Sequence, residues 1–101
     1  MSIDNKPPLT IEIDALAAIK EIIQKKQITK EYGLRVGVKG TGCSKNDFFI
    51  AFDKISEKDK VYDLEGLLLL IDRGQFMYLF GQKLKYKQDE DGSMGFVFEK
   101  S

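Results

Sequence analysis

The sequence predicts an α+β fold: a β-rich domain of about seven short strands in mixed sheets, with one main N-terminal helix and one short helix. Two patterns predict it. Apolar residues recur at helical spacing in one long stretch only, from Ala15 to Ile23, whereas from Gly33 onward the apolar period is two. A length of 101 residues, 43% of them apolar, suits one core without disulfide or metal support. No linker, repeat or low-complexity run divides the chain, so residues 9–101 read as a single domain behind a flexible tail of residues 1–8.

The elements follow in order. Pro7 and Pro8 donate no backbone hydrogen bonds and Asn5-Lys6 is polar, which makes residues 1–8 the tail. Leu9, Ile11 and Ile13 alternate with Thr10 and Glu12 as a short strand. Asp14 suits a helix N-cap, where its carboxylate accepts from a first-turn amide. Ala15, Leu16, Ala18, Ile19, Ile22 and Ile23 form the apolar stripe of the long helix, and Lys20, Glu21, Gln24 and Lys25 form its polar face, with Glu21 and Lys25 an i,i+4 pair. The helix ends before Gly33.

Leu34, Val36 and Val38 then alternate with Arg35, Gly37 and Lys39, and Phe48, Ile50 and Phe52 repeat the pattern. Residues 56–60, Ser-Glu-Lys-Asp-Lys, read as a solvated connection into a strand over 61–64. Glu65-Gly66 is a tight turn into residues 67–71, five consecutive apolar residues that suit a strand buried on both faces. Asp72-Arg73-Gly74 breaks that strand, residues 75–80 make one or two helical turns, and Gly81 suits the helix C-cap. Residues 83–87 and 94–98 form a hairpin about Asp89-Glu90-Asp91-Gly92.

Composition excludes several function classes. Sixteen basic and sixteen acidic residues cancel, so no global field draws the chain to nucleic acid or an anionic membrane. One cysteine forms no internal disulfide, residues 2–10 do not resemble a signal peptide, and the longest apolar run is too short to span a bilayer. The expectation is a soluble, cytoplasmic protein.

The chemistry-bearing feature is Gly40-Thr41-Gly42-Cys43-Ser44, which holds the sole cysteine of a chain without histidine. Gly40 and Gly42 allow positive φ, so successive amides can form an anion-stabilising nest, and Lys39 and Lys45 add positive charge that favours a thiolate. A buried, inert filler is the competing reading of a lone cysteine. Residues 37–44 match the phosphate-loop spacing except that Cys43 stands at the lysine position, so the contact to the terminal phosphates is missing. A cysteine protease needs a histidine base and a zinc site about four ligands, and there is no C-x-x-C redox pair. The chain is read as no enzyme.

The order of an amphipathic helix, Leu34-Arg35-Val36-Gly37-Val38, Gly42-Cys43-Ser44, an aromatic strand, residues 67–72, residues 76–81 and Gly95-Phe96-Val97-Phe98 resembles the HesB-like, or A-type carrier, family of iron-sulfur cluster assembly accessory proteins. The resemblance implies a compact β-rich domain, a homodimer or tetramer, and three cysteines per chain that hold iron or a cluster for iron-sulfur assembly or client proteins, with no nucleic-acid or membrane partner. Only Cys43 has a counterpart here, matching the first family cysteine; the family's Cys-x-Cys pair, just beyond the position of Phe98, does not occur in these 101 residues, and Lys45-Asn46 replaces a glycine and a hydrophobic residue. A cluster takes four protein ligands, mostly thiolates. The implied metal ligand is therefore Cys43 with Gly40, Gly42 and Ser44 as its loop, the implied cargo a labile iron or cluster, and the missing ligands come from another chain or a partner. The alternative is a protein-interaction module that keeps the fold without cluster binding.

Three further features have plain readings. Lys83, Lys85 and Lys87 share one strand face and read as the guard of an edge strand in preference to a phosphate stripe. The acids of residues 89–91 lack the spacing of a calcium loop and read as a solvated turn. Residues 76–80, Phe-Met-Tyr-Leu-Phe, read as core packing.

Overall fold

The computed structural model describes residues 3–4, 6–39 and 47–100, with residues 3, 4 and 47 described as backbone only. In chain order these form β1 (Ile3–Asp4), β2 (Thr10–Ile11), α1 (Ile13–Lys25), β3 (Tyr32–Lys39), β4 (Asp47–Lys54), β5 (Asp59–Leu64), β6 (Leu67–Asp72), a 3-10 helix (Arg73–Leu79), β7 (Gln82–Gln88) and β8 (Met94–Lys100). The α+β class, the mixed sheets, the main N-terminal helix and the short second helix are as the pattern predicts. Contacts divide the chain into two units, each made of two stretches: Met1–Pro8 with Thr29–Phe80, and Leu9–Ile28 with Gly81–Ser101.

The first unit is a five-stranded sheet in the order β1-β5-β6-β3-β4. β3 pairs antiparallel with β4 over its whole length and parallel with β6 at Leu34 and Arg35. Leu34, Val36, Tyr62, Leu69, Leu70 and Ile71 are essentially inaccessible, so the apolar run of β6 is buried as its composition requires. The β5–β6 turn falls on Glu65 and Gly66, both at positive φ, and the Gly66 amide donates to Asp63 Oδ1 at 2.8 Å. Such a pair of left-handed residues matches the right-handed strand twist. Ile3 and Asp4, inside the segment read as a tail, pair in parallel with Val61 and Tyr62.

The second unit is a three-stranded sheet, β2-β7-β8, with α1. Glu12, not Asp14, occupies the N-cap, with no side-chain cap. The reason is the ladder: the Glu12 amide donates to the Leu84 carbonyl at 3.0 Å, holding Glu12 extended, and the chain turns helical at the next residue. Asp14 lies inside the first turn, where its charge complements the helix dipole. Ile13, read as a strand residue, is therefore the first helical one and is 77% exposed. Ala15, Leu16, Ile19 and Leu84 are buried. The Glu21–Lys25 pair forms at 3.0 Å on the open surface, where such pairs contribute little.

Two readings are corrected here. The edge-strand reading of Lys83, Lys85 and Lys87 holds only in part, because β7 lies between β8 and, at Lys83 and Leu84, the two-residue β2, whereas at Lys85 and Lys87 that side of β7 has no strand partner among the described residues. So short a partner is invisible to periodicity. Lys85 reaches Glu99 at 3.2 Å and Glu12 at 3.9 Å, and Lys87 also pairs with Glu99, whose carboxyl is held below its usual range by Lys87 and then Lys85. Second, residues 76–80 are not core as a block: Leu79 is buried, whereas Met77, Tyr78 and Phe80 are exposed. A short 3-10 helix turns only part of its circumference inward, and here that part is Leu79. The acidic turn is as read. Asp89 Oδ1 accepts from the amides of Asp91 and Ser93, and Gly92 takes a positive φ.

Candidate functional site

Cys43, with Gly40, Gly42 and Ser44 of its loop, lies outside the described residues, as do Thr41, Lys45 and Asn46. What the structure shows is the frame. Lys39 and Asp47 are paired in register, so residues 40–46 connect the two strands of the β3–β4 hairpin, with Cys43 at the midpoint of the connection. Lys39, the described cation nearest to Cys43 in sequence, is exposed, and its ammonium lies 5.7 Å from the Phe49 ring centroid.

The root of that hairpin is held by a side chain the sequence reading did not single out. The Val38 amide donates to Gln75 Oε1 at 3.0 Å, and Gln75 Nε2 donates to the Val38 carbonyl at 3.1 Å. Parallel pairing of β3 with β6 has ended at Arg35, so the Gln75 carboxamide serves Val38 as a strand neighbour would. Gly37 makes room for it: a Cβ there would lie 2.5 Å from Gln75 Oε1 and 2.7 Å from the Phe49 ring. Gln75 in turn sits on the 3-10 helix that Asp72 caps through the Gly74 amide at 2.7 Å. Gln75→Leu should strip both bonds from a nearly buried backbone, lowering stability by about 1–2 kcal/mol. Hydrogen exchange at the Val38 amide should speed up with it; unchanged protection would mean that the contact does not support the strand.

A second feature also escaped the sequence reading. The Asp59 side chain, in a run read as solvated, is wholly buried. Arg35 Nη1 and Nη2 grip its two oxygens at 2.6 and 2.7 Å, while Arg35 Nε donates to Asp53 at 2.8 Å and the Ser56 amide donates to Asp59 Oδ2 at 2.8 Å. Burial pushes the Asp59 carboxyl up, but the bonds from Arg35 and Ser56 outweigh it and hold the group below the usual carboxylate range. Asp59 in turn raises the Arg35 pKa. Asp53 is lowered by Arg35 and by the Lys54 amide. The signal was available: an arginine inside the buried strand 34–38 needs a carboxylate partner. This cluster ties β3, β4 and β5 together, and every one of its polar atoms that is buried has a partner.

Among the described residues no three histidine, cysteine, aspartate or glutamate side chains converge on a metal position, and no helix is long and apolar enough to cross a membrane. A hollow of about 180 Å³ is lined by Glu12, Asp14, Lys85, Tyr86 and Lys87, but the pairing of both lysines with Glu12 and Glu99 leaves it no excess of positive charge.

No family model matches the chain. Relatives do. The iron-sulfur cluster insertion protein ErpA of Francisella philomiragia is 36% identical over 87 residues, covering 85% of this chain and 74% of its own. The ErpA protein of Bordetella avium is 38% identical over 87 residues, covering 85% and 70%, and that of Nitrosomonas europaea 35% over 89 residues, covering 87% and 73%. A solution NMR structure of a protein from Aquifex aeolicus superposes with a TM-score of 0.71 at 26% identity, over 100% of this chain and 99% of that one. Identity at this level over most of both sequences, on a fold shared from end to end, places the chain in the HesB-like, or A-type carrier, family of iron-sulfur cluster assembly proteins to which the ErpA proteins belong.

Proposed function

We propose that this protein is an iron-sulfur cluster assembly accessory that holds iron, a cluster or sulfur transiently at Cys43. The observation that carries the reading is the likeness to cluster insertion proteins over 87 residues, together with the sequence Gly42-Cys43-Ser44 in the segment between β3 and β4. The cargo is a substrate here, taken up and passed on. Cys43 is its thiolate donor, and Gly40, Gly42 and Ser44 shape the loop that presents it.

Ligand number dictates how the cargo is held. These residues contain one cysteine and no histidine, so one chain offers one soft donor and a two-fold dimer offers two. An iron-sulfur cluster takes four protein ligands. The remainder comes from a partner chain, a carboxylate, a small thiol or the client itself, which makes the site open and the cargo easily surrendered. A homodimer or tetramer of cytoplasmic location, engaging assembly or client proteins, is the setting in which such a site works. Anaerobic reconstitution with ferrous iron and sulfide tests it: the wild type should gain visible charge-transfer absorbance and Cys43→Ser should not.

The single thiol also supports a second reading, an interaction module of the same fold without cluster binding. In that case neither protein takes up iron, and Cys43→Ser leaves partner binding unchanged.

A further inference from the structure

Met77, Tyr78 and Phe80 leave 75%, 48% and 59% of their surfaces in solvent. At ~150–250 Å² per aromatic side chain, Tyr78 and Phe80 leave roughly 160–270 Å² in solvent, and with Met77 the exposed apolar surface approaches the scale of the largest apolar patches on soluble monomers, which are often functional. It is a built surface. Phe76 meets Phe80 edge-on with centroids 5.4 Å apart, and Lys60 Nζ lies 4.4 Å from the Phe76 centroid. Buried Leu79, the Asp72 cap and the Gln75 bonds to Val38 hold the helix that carries it.

The rim carries unneutralised positive charge. Arg73 opens the 3-10 helix, is exposed, and its amide donates to the Lys58 carbonyl at 2.9 Å, which sets Lys58 beside it. Among the described residues neither Lys60 nor Arg73 has a carboxylate partner. Of the adjoining acids, Asp59 is committed to Arg35, while Asp72, although it accepts from the Gly74 amide, keeps its charge, so Glu57 and Asp72 stand against Lys58, Lys60 and Arg73 and the rim is left net positive by one.

We propose that this face is the docking surface for an acidic amphipathic segment of a partner protein, whose apolar side chains cover Phe76, Met77 and Phe80 while its carboxylates meet Lys60 and Arg73. A purely apolar partner would desolvate those cations without a counter-charge. A second copy of this chain would bring the same face to the interface, with the same cations and no surplus of carboxylates to meet them. An anionic membrane is disfavoured because a chain of zero net charge with this few basic residues at one site falls short of the polybasic clusters that membranes recruit. The proposal goes beyond the role of the thiol and does not depend on it.

The probes are two fluorescein-labelled synthetic amphipathic helices, one of leucine and glutamate and one of leucine and lysine, titrated by anisotropy. The Leu/Glu peptide should bind saturably and less tightly as salt is raised. Affinity should fall roughly tenfold or more in the double variant Lys60→Glu, Arg73→Glu, with the Leu/Lys peptide gaining. Phe80→Ser should weaken binding in both backgrounds, Lys60→Met with Arg73→Met should give an intermediate loss with an unchanged circular dichroism spectrum, and Cys43→Ser should bind as the wild type does. Four results would overturn the proposal: no binding of the Leu/Glu peptide, binding indifferent to charge reversal, sedimentation with phosphatidylserine vesicles in place of peptide binding, or self-association that Phe80→Ser abolishes while no peptide binds.

Discussion

Replacing Arg35 with methionine should lower the unfolding free energy by about 3 kcal/mol, the scale on which breaking a buried ion pair from one side is costly. The loss is large because of what stays behind. Methionine fills much of the same volume, so packing changes little, but the wholly buried Asp59 carboxylate loses its bidentate partner and keeps only the Ser56 amide. Asp53, half in solvent, loses a bond that water can replace. Against a typical total of about 5–15 kcal/mol the variant should unfold at clearly lower urea with an unchanged slope. Arg35→Met combined with Asp59→Leu should recover part of the loss, since the stranded charge is then gone.

The pH dependence separates the charge from the packing. In the fold the Asp59 and Asp53 carboxyls sit below their ordinary value, so the unfolded chain binds more protons as acid is added. Their contribution is complete above the unfolded value, about 4, and is lost as pH falls through the lower folded values. Arg35 is raised from an already high value and stays charged throughout, adding no slope of its own. In Arg35→Met the sign for Asp59 turns over: burial dominates, its pKa rises, and protonation in acid relieves the stranded charge. The stability gap between wild type and variant should therefore narrow from pH 7 towards pH 3; a constant gap would mean that the arginine acts through its packing alone.

Much of this fold is legible in the alternation of apolar residues, because a strand or helix that buries one face writes its period into the chain. Leu34, Val36 and Val38, the run of β6, the Glu65-Gly66 turn and the β7–β8 hairpin all follow from that period and from turn chemistry. What periodicity does not carry is pairing between distant segments. Asp59 sits in a polar run and looks solvated until Arg35, 24 residues earlier, is seen to reach it. Gln75 resembles any helix surface residue until Val38 is found bonded to it. The start of α1 moved for the same reason, since the Leu84 carbonyl that holds Glu12 extended lies far along the chain. At the candidate site, Cys43 was singled out from residue type and glycine context, and the structure adds the hairpin that carries the loop and the carboxamide that braces its root.

Loss of the thiol should have the largest functional effect of any single change. Serine is close to cysteine in size but offers no soft donor, and with one cysteine in these 101 residues nothing else in them replaces it. Uptake of iron and sulfide by Cys43→Ser should therefore fall to background and not to a fraction. The most direct measurement is iron and acid-labile sulfide per chain in the reconstituted wild type after gel filtration, repeated with a ferrous chelator present. The predicted result is cargo shared between chains, lost on dilution and surrendered quickly to the chelator. A full complement in every chain that survives both treatments, or one that Cys43→Ser retains, would contradict the claim that one thiol per chain holds the cargo with help from outside.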